Sequence, residues 1–84
     1  ERFAGTYRLA PTFAITFSVE GGKLVGQATG QPKIALAYEG MKQRHPWFFA
    51  KTVNAEVEFV PDAGGKIASM VLHQGGRETP GVRQ

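Results

Sequence analysis

The chain has 84 residues, enough for one small domain and too few for a second core. It has no cysteine, which excludes disulfides, thiolate nucleophiles and cysteine metal sites. Its net charge of +3 comes from scattered basic residues, clustered at most over Lys42–Gln43–Arg44–His45, a balance that fits a solvated surface better than a nucleic-acid footprint.

Apolar runs such as Trp47–Ala50 are far too short to span a bilayer. No signal peptide is visible, and the first residue is Glu1, so the sequence reads as one domain, residues 1–84, excised from a longer polypeptide.

Taken in order, the elements alternate with a period of two. Tyr7–Ala10 reads as a strand ended by Pro11. Phe13, Ile15, Phe17 and Val19 then share one face of a second strand, and Gly21–Gly22 accepts the positive φ of a tight turn. Lys23–Thr29 is a strand with Leu24, Gly26 and Ala28 on its inner face, and Gly30–Gln31–Pro32 turns it into a strand carrying Ile34, Leu36 and Tyr38.

Glu39–Pro46 is polar and predicts the longest loop. Trp47–Lys51 is strand-like and aromatic, and Thr52–Val53–Asn54 makes a short connection. Ala55, Val57 and Phe59 alternate with Glu56 and Glu58, giving a strand with one wet face. The stretch Pro61–Lys66, with Pro, Asp and paired glycines, is the strongest turn signal. Ile67–Gln74 is a strand, and Gly75–Gly76 leads to a short last strand, Arg77–Thr79, stopped by Pro80.

No segment has helical periodicity with a cap and a stop. Seven or eight short antiparallel strands in a meander would leave a flat sheet with an exposed apolar face and two raw edges. Closure or strong curling into a small barrel removes both problems. The predicted fold class is therefore all-β.

Catalytic constellations are weak. Ser18 and Ser69 fall inside strands, without the glycine-flanked elbow that exposes a nucleophile. His45 and His73 form no ligand-spaced pair, so no metal is expected. Glu56 and Glu58 sit about 7 Å apart along one strand face, a spacing like that of glycosidase carboxylates, yet ordinary on a wet face. The stretch Gly26–Pro32 fails the phosphate-loop template, because strands flank it on both sides and no Gly-Lys-Ser/Thr follows. It reads as a strand end and a turn, with Gly26 letting another side chain approach. No catalytic residue and no cofactor is expected.

Trp47, Phe48 and Phe49 cannot all point inward, because neighbours on a strand alternate. The candidate interaction surface is therefore Trp47 and Phe48, with the adjacent Lys42, Arg44 and His45.

The segments Gly5–Thr6–Tyr7, Gln27–Pro32, Phe48–Phe49 and Val71–Gly76, in this order over nearly the whole chain, resemble the small lipocalin-like β-domain at the C-terminus of bacterial serine hydrolases of the penicillin-binding and class C β-lactamase type. The sequence departs from that pattern at Glu39–Pro46, where the family has a short acidic link and this chain has a longer basic one. The resemblance implies a lipocalin-like barrel serving as a non-catalytic accessory domain of an exported, periplasmic hydrolase. Its partner would be the parent's catalytic domain or another copy of itself, not nucleic acid, with no direct membrane insertion.

Two other readings remain. A small-ligand module would be supported by an interior cavity of roughly 300 Å³ or more and excluded by a filled core. Phe13, Phe17, Phe49 and Phe59 are expected to fill that interior. A nucleic-acid-binding barrel would need salt-dependent binding to polyanions.

Overall fold

Period-two patterning is realised as eight strands in the computed structural model, which describes residues 2–84: β1 (Gly5–Ala10), β2 (Phe13–Glu20), β3 (Lys23–Ala28), β4 (Ile34–Lys42), β5 (His45–Ala50), β6 (Ala55–Pro61), β7 (Ile67–Gln74) and β8 (Arg77–Arg83). Each strand pairs antiparallel with the next, and β8 returns to β1, so the sheet closes into an up-and-down barrel. Among the described residues the only helical element is a single 3₁₀ turn, Lys51–Val53, between β5 and β6.

Connectivity gives the barrel two poles. Pro11–Thr12, Gly30–Pro32, the 3₁₀ turn and Gly75–Gly76 gather at one end, here the mouth. Gly21–Gly22, Gln43–Arg44, Asp62–Gly65 and both chain ends gather at the other.

The terminal pole is packed solid. Tyr7, Phe59 and Met70 are completely buried there. Phe59 meets Phe17, Phe48 and Phe3 at ring-centroid distances of 5.0, 5.6 and 4.7 Å. Burying one such ring contributes about 1.5–3 kcal/mol, so this cluster is a leading source of stability. The segment before β1 folds across the pole, where the Tyr7 hydroxyl donates to the Phe3 carbonyl at 3.1 Å.

The seam between β1 and β8 is short, with registered pairs only at Tyr7–Arg83 and Arg8–Val82. Arg83 points inward and fastens it. Its Nη1 donates to the carbonyls of Ile67 (2.9 Å) and Arg2 (3.3 Å), and its Nη2 donates to that of Ala4.

Two expectations fail locally. Glu39–Pro46 is no loop: β4 continues to Lys42, Gln43–Arg44 forms a two-residue turn, and β5 begins at His45. Both turn residues have positive φ (53° and 70°), the geometry of a hairpin turn that normally announces itself by Asn-Gly. Nor does Pro80 stop β8. It lies opposite Val71 in a part of β8 that β1 does not reach, so its missing N–H costs no rung on that side.

The Gly26–Pro32 stretch behaves as expected. A Cβ on Gly26 would lie 3.1 Å from Phe17 and 3.3 Å from Leu36, so the residue is small because two core side chains press on it. The turn follows, with Gly30 at φ 75° and the Gln31 N–H donating to Ala28 at 3.0 Å. At Pro61–Lys66 the Asp62 carboxylate accepts from the N–H groups of Gly64 and Lys66 at 2.9 and 3.0 Å, which closes that turn.

Candidate functional site

Strand alternation sorts β5 into an outer row, His45, Trp47 and Phe49, and an inner row, Pro46, Phe48 and Ala50. On β6, Glu56 and Glu58 face outward, and on β7, His73 does. The outer rows of three strands therefore converge on one patch.

Glu58 is its centre. One carboxylate oxygen meets His45 Nδ1 at 2.5 Å and the other meets His73 Nε2 at 3.0 Å. Burial pushes the Glu58 carboxyl up, but hydrogen bonds from His45 and His73 outweigh it and hold the group below its ordinary value. Trp47 stacks on His73 with centroids 4.6 Å apart, and the Lys42 ammonium lies 4.6 Å from the Trp47 ring, in cation–π range. The Trp47 indole N–H is buried there with no acceptor. Lys42 also reaches Glu56 at 3.7 Å and Glu39 at 3.9 Å. A hydrogen bond shared with Glu56, together with desolvation, raises the Glu39 carboxyl.

Among the described residues, each histidine ring hydrogen-bonds only to Glu58, and no serine or threonine hydroxyl reaches either. Among the same residues, no set of three or more His, Cys, Asp or Glu side chains converges on a metal position. What the patch does offer is a shielded indole edged by charges of both signs.

Beside this patch β4 outruns its other neighbour. β3 pairs with β4 only through Ile34, Ala35 and Leu36, so from residue 37 to 42 β4 has β5 on one side and no strand on the other. This free edge carries two exposed apolar side chains, Tyr38 and Met41, 58% and 56% accessible. A bulge between Tyr38 and Gly40 breaks the pairing register within it. An exposed edge with unpaired backbone groups is the usual template for adding a strand.

The mouth half of the interior is hollow. A cavity of about 230 Å³ opens between the Gly30–Pro32 turn and the 3₁₀ turn. It falls short of the roughly 300 Å³ that would favour a ligand module, yet the interior is not filled. Phe49, which was expected inside, sits on the outer row of β5 and Phe48 takes the inward place, so Phe13, Phe17 and Phe59 of the four expected rings face inward beside Phe48.

Of the residues singled out from sequence, Lys42, His45 and Trp47 come together on the outer face, and Arg44 sits exposed at the adjoining turn. Phe48 does not belong with them. It is buried in the core, because its neighbours Trp47 and Phe49 take the outward positions and alternation sends it inside. Sequence reasoning missed Tyr38 and Met41 as surface residues because their strand was read as ending at Tyr38. It also missed the link from Glu58 to His45 and His73, which lie 13 and 15 residues away.

Comparison with known proteins finds no matching curated protein and no matching solved structure. Residues 1–82 match the family model described as a domain of unknown function, DUF3471. A closed eight-stranded barrel of this sequence is thus a member of the DUF3471 domain family.

Proposed function

We propose that this barrel is a non-catalytic accessory domain that binds a neighbouring protein domain along the free edge of β4. The observation that carries the reading is the unpaired stretch 37–42, with exposed Tyr38 and Met41 beside Lys42 and Arg44.

The placement supports a partner in the same polypeptide. The Gln43–Arg44 turn lies at the pole from which both chain ends leave, so a covalently joined neighbour is held beside the edge at high local concentration. By resemblance, that neighbour is the catalytic domain of an exported serine hydrolase, and the nucleophile belongs to it. The mixed charges of Lys42, Glu39 and Glu56 suit a polar rim around an edge contact.

Amide hydrogen exchange tests the reading on the full-length polypeptide and on the isolated 84-residue chain. The amides of Tyr38–Lys42 are expected to exchange at least about tenfold more slowly in the full-length protein. Equal rates at this edge, with protection elsewhere on the barrel, would refute it. The hydrolase assignment is tested separately by the coding sequence upstream of Glu1, where a Ser-x-x-Lys motif is expected.

A further inference from the structure

The interaction reading leaves the hollow mouth half of the barrel unused. Its cavity of about 230 Å³ is walled by Phe13, Ile15, Ile34, Leu36, Val57 and Leu72. The space exists because Ala28, Ala50 and Ala55 occupy inward positions where larger side chains would close it. Protein interiors hold few voids larger than a water molecule. Such a space is where an apolar body gains contacts that nothing in the protein supplies. A cavity of ~150 Å³ takes a benzene, so this one suits a substituted ring or a chain of about six to eight carbons.

The chemistry of the rim narrows the class. Gln31, Thr52 and Gln74 stand at the opening, and no residue lining the cavity is charged. Of the lysines that flank its segments in sequence, Lys33 pairs with Glu20 at 2.8 Å, and Lys51 borders an outer groove beside Tyr38. Gln74 spends its amide N–H on the Val53 carbonyl at 3.0 Å, which leaves its Oε1 as an acceptor at the mouth. A carboxylate seated here would lose water and meet no cation among the lining residues, whereas a hydroxyl finds an acceptor.

We infer that the barrel mouth binds an uncharged molecule with a compact apolar body of this size and a hydroxyl head. The site is at the opposite pole from the β4 edge turn and does not depend on it.

The test is a methyl-resolved NMR titration of the protein with 1-heptanol and, separately, sodium heptanoate. Heptanol is expected to give saturable shifts at Ile15, Ile34, Leu36, Val57 and Leu72, while Val19 and Val82, exposed away from the cavity, stay still. Heptanoate is expected to bind at least about tenfold more weakly. Ala28→Phe, which places a ring in the cavity, is expected to abolish the heptanol shifts. Three results on the wild-type chain would overturn the inference: no saturable shift, equal affinity for heptanoate, or shifts spread to Val19 and Val82. A folded Ala28→Phe chain that still binds heptanol would overturn it as well. If that variant does not fold, the wild-type comparison decides alone.

Discussion

Replacing Arg83 by Met isolates what fastens the barrel, because methionine keeps much of the apolar stem and removes the guanidinium. Three backbone carbonyls lose their donor: Ile67 on β7, and Arg2 and Ala4 in the segment before β1. A hydrogen bond from a charged donor contributes about 1.5–3 kcal/mol net. The bonds to Ile67 and Ala4 are part-buried and count near the low end, while the exposed bond to Arg2 exchanges with water and adds little. The guanidinium also lies 5.5 Å from the Tyr7 ring, worth about 0.5 kcal/mol at such a site. The sum is about 3.5 kcal/mol. For a domain of this size each kcal/mol shifts Tm by about 4–8 °C, so Arg83→Met is expected to lower Tm by at least ~10 °C. Arg83→Lys, a point charge without the planar fork, is expected to recover less than half of the loss. Urea unfolding supplies the free energies, and hydrogen exchange at Tyr7 and Arg8 reports on the seam. A loss below about 0.5 kcal/mol for Arg83→Met, or full recovery by Lys, would show that the two β1–β8 rungs suffice without the guanidinium.

The outer carboxylate gives a pH prediction. Glu58 has a folded pKa below its ordinary value of 4.5, so its stabilising effect is complete above that pH and is lost as pH falls through the lower folded value. Glu58→Gln removes this dependence, and its Tm should fall less steeply than wild type on acidification below pH 4.5; parallel acid limbs would count against the pairing. At the β4–β5 turn, Gln43 and Arg44 hold positive φ with side chains that disfavour it. The double change Gln43→Asn, Arg44→Gly should stabilise the chain by about 1 kcal/mol in urea unfolding, and a loss of stability would mean that the Arg44 side chain makes contacts outweighing the backbone gain.

The barrel was legible because its signals are local. Alternation over Phe13–Val19 and Ala55–Phe59, with Gly-Gly turns and the Pro61–Lys66 turn between strands, reports directly on face and hairpin. The β4–β5 hairpin was not legible, since Gln43–Arg44 carries no residue that favours positive φ and tertiary pairing imposes it. Parity within Trp47–Phe49 was also open: one inward position must exist, but only the buried flanks Pro46 and Ala50 assign it to Phe48. The Glu58 pairings and the free β4 edge are products of register. They depend on which residues face one another across β5, β6 and β7, and on how far β3 extends along β4. The cavity was not legible either, because it depends on the inward placement of the small residues Ala28, Ala50 and Ala55 around the mouth.

The Tyr7–Arg83 rung sets the direction in which this barrel is mounted. It holds the entering and leaving strands side by side, so both ends of the chain depart together from the plugged pole. A polypeptide joined to either end, or one interrupted by the barrel, meets two neighbouring attachment points and can keep its own flanking segments close. The mouth then points away from that junction, across a body measuring 32 × 29 × 26 Å. A body joined at those points would find the hollow end presented outward.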